Sequence, residues 1–429
     1  MKKTSAAIFA ILLLSLTATV SPALGQARES LSALAAKEKT GLLETLRQLV
    51  AIESGSRDFA GLTKIAAVIG EKLKGLGAQV ELVAPSNVYK MTDTPEKIGN
   101  MVRATSAGAG AKKLLLIAHM DTVYPRGMLA KQPFRIEKDR AYGLGIADDK
   151  QGIAVILHAL AMLKALDFQA YGRLTVLING DEEISSPGSR SLLSALGAEH
   201  DAIFSLEAST AATDKISLAT SGIGSLTLTV KGRASHSGFA PEQGVNALYE
   251  LAHQILQTRD LSNPATGLKM NWTLASAGTT RNMIPPGAQA TADVRVLRAA
   301  DYDAIESQVR ERLKRQLLPE AKVEMNFERR RPPLEATAPS RALAQHAQKI
   351  YRELGKELIV NDQPEGGGTD AAFAALKTKG PVLERFGLQG YGAHSADAEY
   401  VLIDSIEPRL YLLARLIMDV SQGKVPSTR

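Results

Sequence analysis

The sequence predicts an α/β protein: a mostly parallel sheet with helices on both faces, interrupted by a smaller inserted α+β domain. Short apolar runs, typical of strands buried on both faces, alternate with helical patterns before residue 220 and again after about residue 339. Between them, strands of alternating polar and apolar residues follow a β-α-β-β-α-β order. That order is typical of a small ferredoxin-like sheet with both helices on one face. We therefore expect one body from residues 26–220 and 333–429, with residues 221–332 inserted into it.

The elements of the first body are predicted in the order helix, helix, strand, helix, strand, strand. The helices are marked by apolar residues at helical spacing, and the strands by continuous apolar runs. The helices are expected over 28–51, 59–76 and 152–166, and the strands over 113–118, 173–179 and 202–206.

The inserted domain is marked by a change to alternating polar and apolar residues near residue 221, and it ends at Pro332-Pro333. Its strands are expected over 224–230, 272–277, 288–297 and 322–328, and its helices over 244–258 and 301–317.

Residues 1–25 are predicted to be a secretory signal peptide. Lys2 and Lys3 precede an apolar run from Ala6 to Val20, and small residues follow at a spacing typical of cleavage sites. We expect cleavage after Gly25, with Ala27 as the alternative site. An uncleaved membrane anchor is the other interpretation, but the run is short for a span, which needs roughly 20 residues. The expected protein is periplasmic or secreted and leaves the membrane after cleavage.

The composition narrows the classes of function. The net charge of +6 is spread over the chain without a long basic run, so we expect no nucleic-acid partner. A mild positive field suits a small anionic substrate, although it also serves solubility alone. The chain has no cysteine, so any metal site must use His, Asp and Glu, which favours zinc or a harder ion over thiolate chemistry.

Side chains that commonly bind metals follow the ends of the predicted buried strands. His119 comes directly after the first strand, Glu183 lies in the acidic triplet after the second, and Glu207 follows the third. The carboxyl ends of strands are where ligands bind in such sheets, and an unpaired carboxylate there would be costly. Asp148 and His394 lie in loops that contain glycine. Together the five predict a metal site at one rim of the sheet.

Each of these residues also has a structural explanation. Asp148 or Asp149 could cap the following helix, and the triplet Asp181-Glu182-Glu183 could be a solvated acidic loop. Three adjacent carboxylates repel one another strongly without a cation, which favours the metal site. The histidines in or beside predicted helices are assigned structural or surface roles: His158, His200, His253 and His346.

Several motifs along the whole mature chain carry a family resemblance. They are His119-Met120-Asp121-Thr122-Val123-Tyr124, Gly145-Ile146-Ala147-Asp148-Asp149-Lys150, Asp181-Glu182-Glu183, Ala234-Ser235-His236, Gly366-Gly367-Gly368-Thr369-Asp370 and His394-Ser395. With them the chain resembles the aminoacylase/carboxypeptidase family of dinuclear zinc peptidases. Within that family it is most similar to bacterial glutamate carboxypeptidases of the carboxypeptidase G type. The resemblance implies the zinc exopeptidase type of fold, with the insertion as a lid and dimerisation domain.

The resemblance also implies roles in the reaction. Asp148 would bridge two zinc ions per subunit, with His119 and Glu207 completing one site and Glu183 and His394 the other. Asp121 would orient His119, and Glu182 would be the general base. His236 would reach the active site of a partner subunit in a homodimer and stabilise the oxyanion; a surface histidine is the alternative.

Substrate contacts are implied for six further residues. Arg295 and Asn282 would hold the terminal carboxylate of the substrate, which the guanidinium fork of arginine suits. A second carboxylate would meet Lys215 or Arg331, although solvated surface charges are the alternative for both. Residues 329–331 offer three arginines for that one role. Gly367 and Thr369 would line the same pocket, or belong to a tight turn before a helix at 371–377.

The expected activity is hydrolysis of the amide bond to a C-terminal glutamate in peptides, N-acyl-glutamates or folate-like compounds. An aminoacylase or dipeptidase with another side-chain preference is the alternative within the family. A periplasmic binding protein without catalysis is the alternative outside it.

Overall fold

The computed structural model describes residues 22–395 and 397–425. In this part of the chain a larger and a smaller body each have a sheet and a hydrophobic core. Residues 1–21, which hold most of the predicted signal peptide, lie outside the described residues. None of the helices in the described ranges is long and apolar enough to cross a membrane.

The larger body is built on a six-stranded sheet. Its strands are β1 (Gln79–Val83), β2 (Met101–Ala107), β3 (Lys113–His119), β6 (Arg173–Asn179), β7 (Ala202–Ser205) and β15 (Val382–Leu383). They lie in the order β1-β2-β6-β3-β7-β15. The last four strands of that order are parallel to one another, whereas β2 pairs with β6, and β1 with β2, in antiparallel fashion. The predicted mostly parallel sheet is confirmed.

Helices cover both faces of this sheet because its central strands are apolar on both sides. On β3, Leu114 and Leu116 belong to one core cluster, whereas Leu115 and Ile117 belong to another on the opposite face. The first cluster includes residues of α1 (Pro22–Val50), α2 (Phe59–Gly75), α3 (Gln151–Ala165), α7 (Ala338–Glu353) and α9 (Ile406–Ser421). The second includes residues of α4 (Arg190–Glu199) and α8 (Ala371–Ala375).

Two smaller sheets complete the larger body. The first contains β4 (Arg135–Glu137), β5 (Arg140–Tyr142), β8 (Ser209–Thr210), β16 (Gln389–Tyr391) and β17 (Tyr400–Leu402), in the order β4-β5-β17-β16-β8. The second pairs β9 (Lys215–Ser217) with β14 (Ile359–Asn361). The loop after β5 carries Asp148, and the loop between β16 and β17 carries His394.

The smaller body has the predicted β-α-β-β-α-β order. Its elements are β10 (Gly222–Lys231), α5 (Ala247–Thr258), β11 (Lys269–Ala277), β12 (Gly287–Val296), α6 (Ala300–Leu313) and β13 (Lys322–Arg331). The sheet is antiparallel in the order β11-β12-β10-β13. Alternate residues of β10, namely Leu226, Leu228 and Val230, enter a core shared with both helices. The predicted fold class is therefore confirmed.

The strand register brings three strand ends together. His119 on β3 lies opposite Asn179 on β6, and Ile117 on β3 lies opposite Ser205 on β7. The chain segments that leave these strands therefore begin side by side at one rim of the sheet.

Candidate metal centre

Five side chains converge at this rim and form two overlapping groups. The first group is His119, Asp148 and Glu207, and the second group is Asp148, Glu183 and His394. Within each group, one potential ligand atom per residue lies within 4.8 Å of the others. Asp148 belongs to both groups, which is the arrangement needed for two ions that share a carboxylate.

The two groups differ in how deeply they are placed. His119 is the last residue of β3 and is 1% exposed. Its Nε2 lies 3.0 Å from Asp148 Oδ1 and 3.4 Å from Glu207 Oε1. In the second group, the side chain of His394 is 56% exposed, and its Nε2 lies 3.1 Å from Glu183 Oε2 and 3.2 Å from Asp148 Oδ2. The second group therefore faces solvent more openly.

Asp121 connects the first group to the acidic turn after β6. Its Oδ1 lies 3.3 Å from His119 Nδ1. Its carboxylate also accepts hydrogen bonds from the backbone N–H groups of Glu182 and Glu183, both at 3.1 Å, and from Ser56 Oγ at 2.8 Å. Asp121 thus holds both the imidazole of His119 and the turn that presents the two glutamates.

The titration of these side chains reflects crowded negative charge. Burial lowers the pKa of His119, but hydrogen bonds to Asp121, Asp148 and Glu207 outweigh it and raise that pKa well above its usual value. Hydrogen bonds to Asp148 and Glu183 raise the pKa of His394 to about 10. Burial raises the pKa of Glu183 to about 7. The raised pKa values of these groups favour proton binding when no cation is bound. Imidazole nitrogens and carboxylate oxygens are suitable donors for zinc.

Glu182 lies beside the ligands but belongs to neither group. It is 7% exposed, and burial raises its pKa well above the usual value, against the opposing effect of Arg331. Arg331 Nη2 lies 2.8 Å from Glu182 Oε1, and its Nη1 donates to Asp370 Oδ1 at 3.1 Å. A carboxyl group with a raised pKa next to a metal site can accept and return a proton.

A cavity of about 740 Å³ opens over both groups. Arg295, Arg331 and Gly367, which were predicted to contact substrate, line it, and Arg295 Nη1 donates to Gly366 O at 2.9 Å. Lys215 is not among the lining residues, and its ammonium pairs with Glu365. Thr369 is buried, and its hydroxyl accepts a hydrogen bond from Ala371 N–H at 3.1 Å.

His236 and Asn282 lie together on the inserted domain, away from this cavity. Both residues are exposed, and Ser237 N donates to Asn282 O at 3.0 Å. His236 Nδ1 accepts from the backbone N–H groups of Gly238 and Phe239. Neither residue lines the cavity among the described residues.

The sequence analysis predicts no role for three acidic residues that lie near the site. Glu384 follows the two-residue strand β15, is 2% exposed and lines the cavity; burial, followed by the charge of Glu207, raises its pKa to about 8. It comes after a strand end, as Glu207 does, but β15 is too short to be recognised. Asp370 ends the motif Gly366-Gly367-Gly368-Thr369-Asp370, and the motif alone predicts no role for it. Glu399 follows His394 closely, but nothing in its sequence context reveals its partners.

A fold with the metal groups at the ends of parallel strands, a general-base candidate beside them and a cavity above defines a class of metal-dependent hydrolases. A model of peptidase family M20/M25/M40 matches residues 115–419, and the chain belongs to this family. The prediction of a peptidase of the aminoacylase/carboxypeptidase family is confirmed.

Individual relatives agree with this assignment. Carboxypeptidase G2 of Pseudomonas sp. strain RS-16 is 44% identical over 403 residues, which cover 94% of this chain and 95% of that protein. The structure of aminopeptidase PepT from Bacillus cereus matches with a TM-score of 0.72 at 20% identity, covering 89% of this chain and 98% of that one. The Bacillus subtilis YXEP protein, described as a dinuclear metal-binding peptidase of the M20 family, matches with a TM-score of 0.65 at 16% identity, covering 90% and 99%.

Proposed function

We propose that the protein is a dinuclear zinc carboxypeptidase that releases a C-terminal glutamate from peptides, N-acyl-glutamates or folate-like compounds. The observation that carries this proposal is that Asp148 belongs to both ligand groups on the floor of a cavity lined by arginines. The 44% identity to carboxypeptidase G2 over nearly the whole chain supports a carboxypeptidase rather than another peptidase.

The donors fit two zinc ions per subunit. His119, Asp148 and Glu207 would hold one ion, and Asp148, Glu183 and His394 the other. When bound, such an ion pair polarises a substrate carbonyl and lowers the pKa of a water molecule towards neutrality.

The chain's own residues have distinct tasks in the proposed reaction. Glu182 accepts a proton from the attacking water at its carboxylate and returns it to the amine of the leaving glutamate. Arg295, on the cavity wall, binds the terminal carboxylate in exchange for its hydrogen bonds to Asp293 and Gly366 O. Arg331 is already engaged with Glu182 and Asp370, so its charge acts on the base as much as on any substrate.

The site is completed by a second subunit in this proposal. His236 and Asn282 lie outside the cavity, on the domain that also exposes Phe239 (88%), Tyr249 (62%) and Leu274 (68%). Burying exposed apolar side chains stabilises association. In the proposed homodimer these side chains are buried, and His236 and Asn282 of one subunit reach the cavity of the other. Sedimentation showing only monomers at micromolar concentration would argue against this.

A panel of substrates on zinc-loaded protein tests the proposed preference. It contains matched benzoyl amides of glutamate, glutamine and leucine, together with a pteroyl-glutamate and an unblocked dipeptide. We expect glutamate to exceed its neutral analogue glutamine by at least about tenfold in kcat/KM, since charged recognition discriminates strongly. A leucine or dipeptide preference would favour the aminoacylase or dipeptidase alternative. No hydrolysis by zinc-loaded protein would favour a binding protein.

The N-terminal segment supports export to the periplasm or the medium. Sequencing the amino terminus of the mature protein tests this, with Gln26 expected as its first residue.

A further inference from the structure

Glu399 lies beneath the metal groups without being a ligand, and its carboxylate is fully engaged. It is 3% exposed. Its Oε1 accepts from the backbone N–H groups of Ala147 at 2.8 Å and Asp148 at 3.1 Å. Its Oε2 accepts from Gly145 N–H at 2.9 Å and from the hydroxyl of Tyr124 at 2.6 Å.

Three of these four donors belong to the loop that presents Asp148. Buried backbone N–H groups need acceptors, and in this loop one carboxylate supplies them at residues 145, 147 and 148. Because the carboxyl group of one side chain accepts all three of these hydrogen bonds, Glu399 fixes where the loop backbone lies. The side chain of Asp148 follows that backbone.

Glu399 also stands at the end of the loop that presents His394. Gly392 lies so close to the end of this loop that an added Cβ would come within 2.5 Å of Ala398 O and 3.0 Å of Glu399 Cα. Ser395 N donates to Gly392 O at 2.7 Å, which makes the turn around His394 tight. The backbone at residues 398 and 399 therefore packs against the start of the turn that carries His394.

We propose that Glu399 is a positioning residue for the second metal group, because its side chain binds the loop of Asp148 to its own loop, which carries His394. Two of the three residues of the second group, Asp148 and His394, are on loops that Glu399 joins. In the first group only Asp148 is on such a loop, because His119 is the last residue of β3 and Glu207 follows β7. The second ion therefore depends on Glu399 more than the first.

The inference rests on the metal site of the proposed function but not on its glutamate preference. Glu399→Gln keeps the size of the side chain but replaces one carboxylate oxygen with an NH₂ group. That group faces either the N–H groups of Ala147 and Asp148, or the N–H group of Gly145 and the hydroxyl of Tyr124. Tyr124→Phe is the matched control, because it removes one donor to Glu399 and leaves all three backbone contacts in place.

The experiment measures zinc bound per chain at buffered free zinc, together with the absorption spectrum of the cobalt-substituted protein and the thermal midpoint of each variant. For Glu399→Gln we expect the affinity for the second ion to fall by about 10- to 100-fold, which is typical when a group that orients metal ligands is lost. The first ion should bind nearly as in wild type. Tyr124→Phe should hold both ions, and kcat should fall in Glu399→Gln with little change in KM.

Three other outcomes would each contradict a different part of this proposal. If wild type binds two ions and Glu399→Gln binds both with unchanged affinity, the positioning role is wrong and the proposed function stands. Equal loss of both ions with a lowered thermal midpoint would mean that Glu399 only stabilises the fold. If wild type itself binds fewer than two ions, the dinuclear site is wrong and this inference fails with it.

Discussion

The metal centre of the larger body and the exposed face of the inserted domain are held in different ways. The five clustered side chains come from strand ends and from loops tied by buried acceptors such as Asp121 and Glu399. His236 and Asn282 lie on an exposed surface, and their polar contacts stay within the inserted domain. All five candidate metal ligands are therefore brought together within one chain, whereas the role proposed for His236 requires a partner subunit. Four predictions test this contrast.

The largest effect is expected from Asp148→Asn, since Asp148 belongs to both groups. Loss of the shared carboxylate should remove bound zinc and lower kcat/KM by at least about 10⁴-fold, because metal polarisation and proton transfer fail together. Metal content and hydrolysis rate are the measurements. Asp139→Asn, an exposed aspartate beside Arg140, is the control that should retain both. A zinc-bound, active Asp148→Asn protein would contradict the shared-ligand arrangement.

Glu182→Gln should separate catalysis from metal binding. Because Glu182 is outside both ligand groups, zinc content should stay at the wild-type value while kcat falls by about 10²- to 10⁴-fold. Glu71→Gln, on an exposed helix surface, is the control that should change neither quantity. Wild-type turnover by Glu182→Gln would mean that the general base is another residue.

Complementation tests whether the inserted domain acts across subunits. Glu182→Gln and His236→Ala chains should each be nearly inactive, but mixed dimers would contain one site with an intact base and an intact histidine. After exchange of subunits at equal concentrations, we expect about a quarter of the wild-type rate, since half of the dimers are mixed and each has one working site. No recovery in proven mixed dimers would indicate that His236 acts within its own chain or not at all.

The smallest effect concerns the stability of the metal-free protein at different pH values. Glu183, with a pKa of about 7, and His394, with a pKa of about 10, both bind protons more tightly in the folded state than their usual values of 4.5 and 6.5 imply. Each group therefore stabilises the fold at low pH and loses that contribution as the pH rises through its window, from 4.5 to about 7 and from 6.5 to about 10. The thermal midpoint of metal-free protein should fall from about pH 5 to about pH 9, and less in zinc-loaded protein. An equal slope in both forms would argue against cations replacing these protons.

Local sequence patterns predict some residues of the metal centre and not others. His119, Glu183 and Glu207 were found because long apolar strands predict where their carboxyl ends meet. Glu384 and Glu399 were missed because β15 and β17 have two and three residues, too few for a recognisable pattern. The partners of Glu399 include backbone N–H groups about 250 residues earlier, and no residue type encodes such contacts. The pairing of Lys215 with Glu365 is likewise long-range and absent from any local motif.

Anomalous diffraction at the zinc edge, from crystals of zinc-loaded protein, tests the central claim most directly. The account predicts two peaks per chain on either side of the Asp148 carboxylate. One peak should lie against His119 and Glu207, and the other against Glu183 and His394. A single peak, or zinc bound by other residues while Asp148 contacts none, would contradict it.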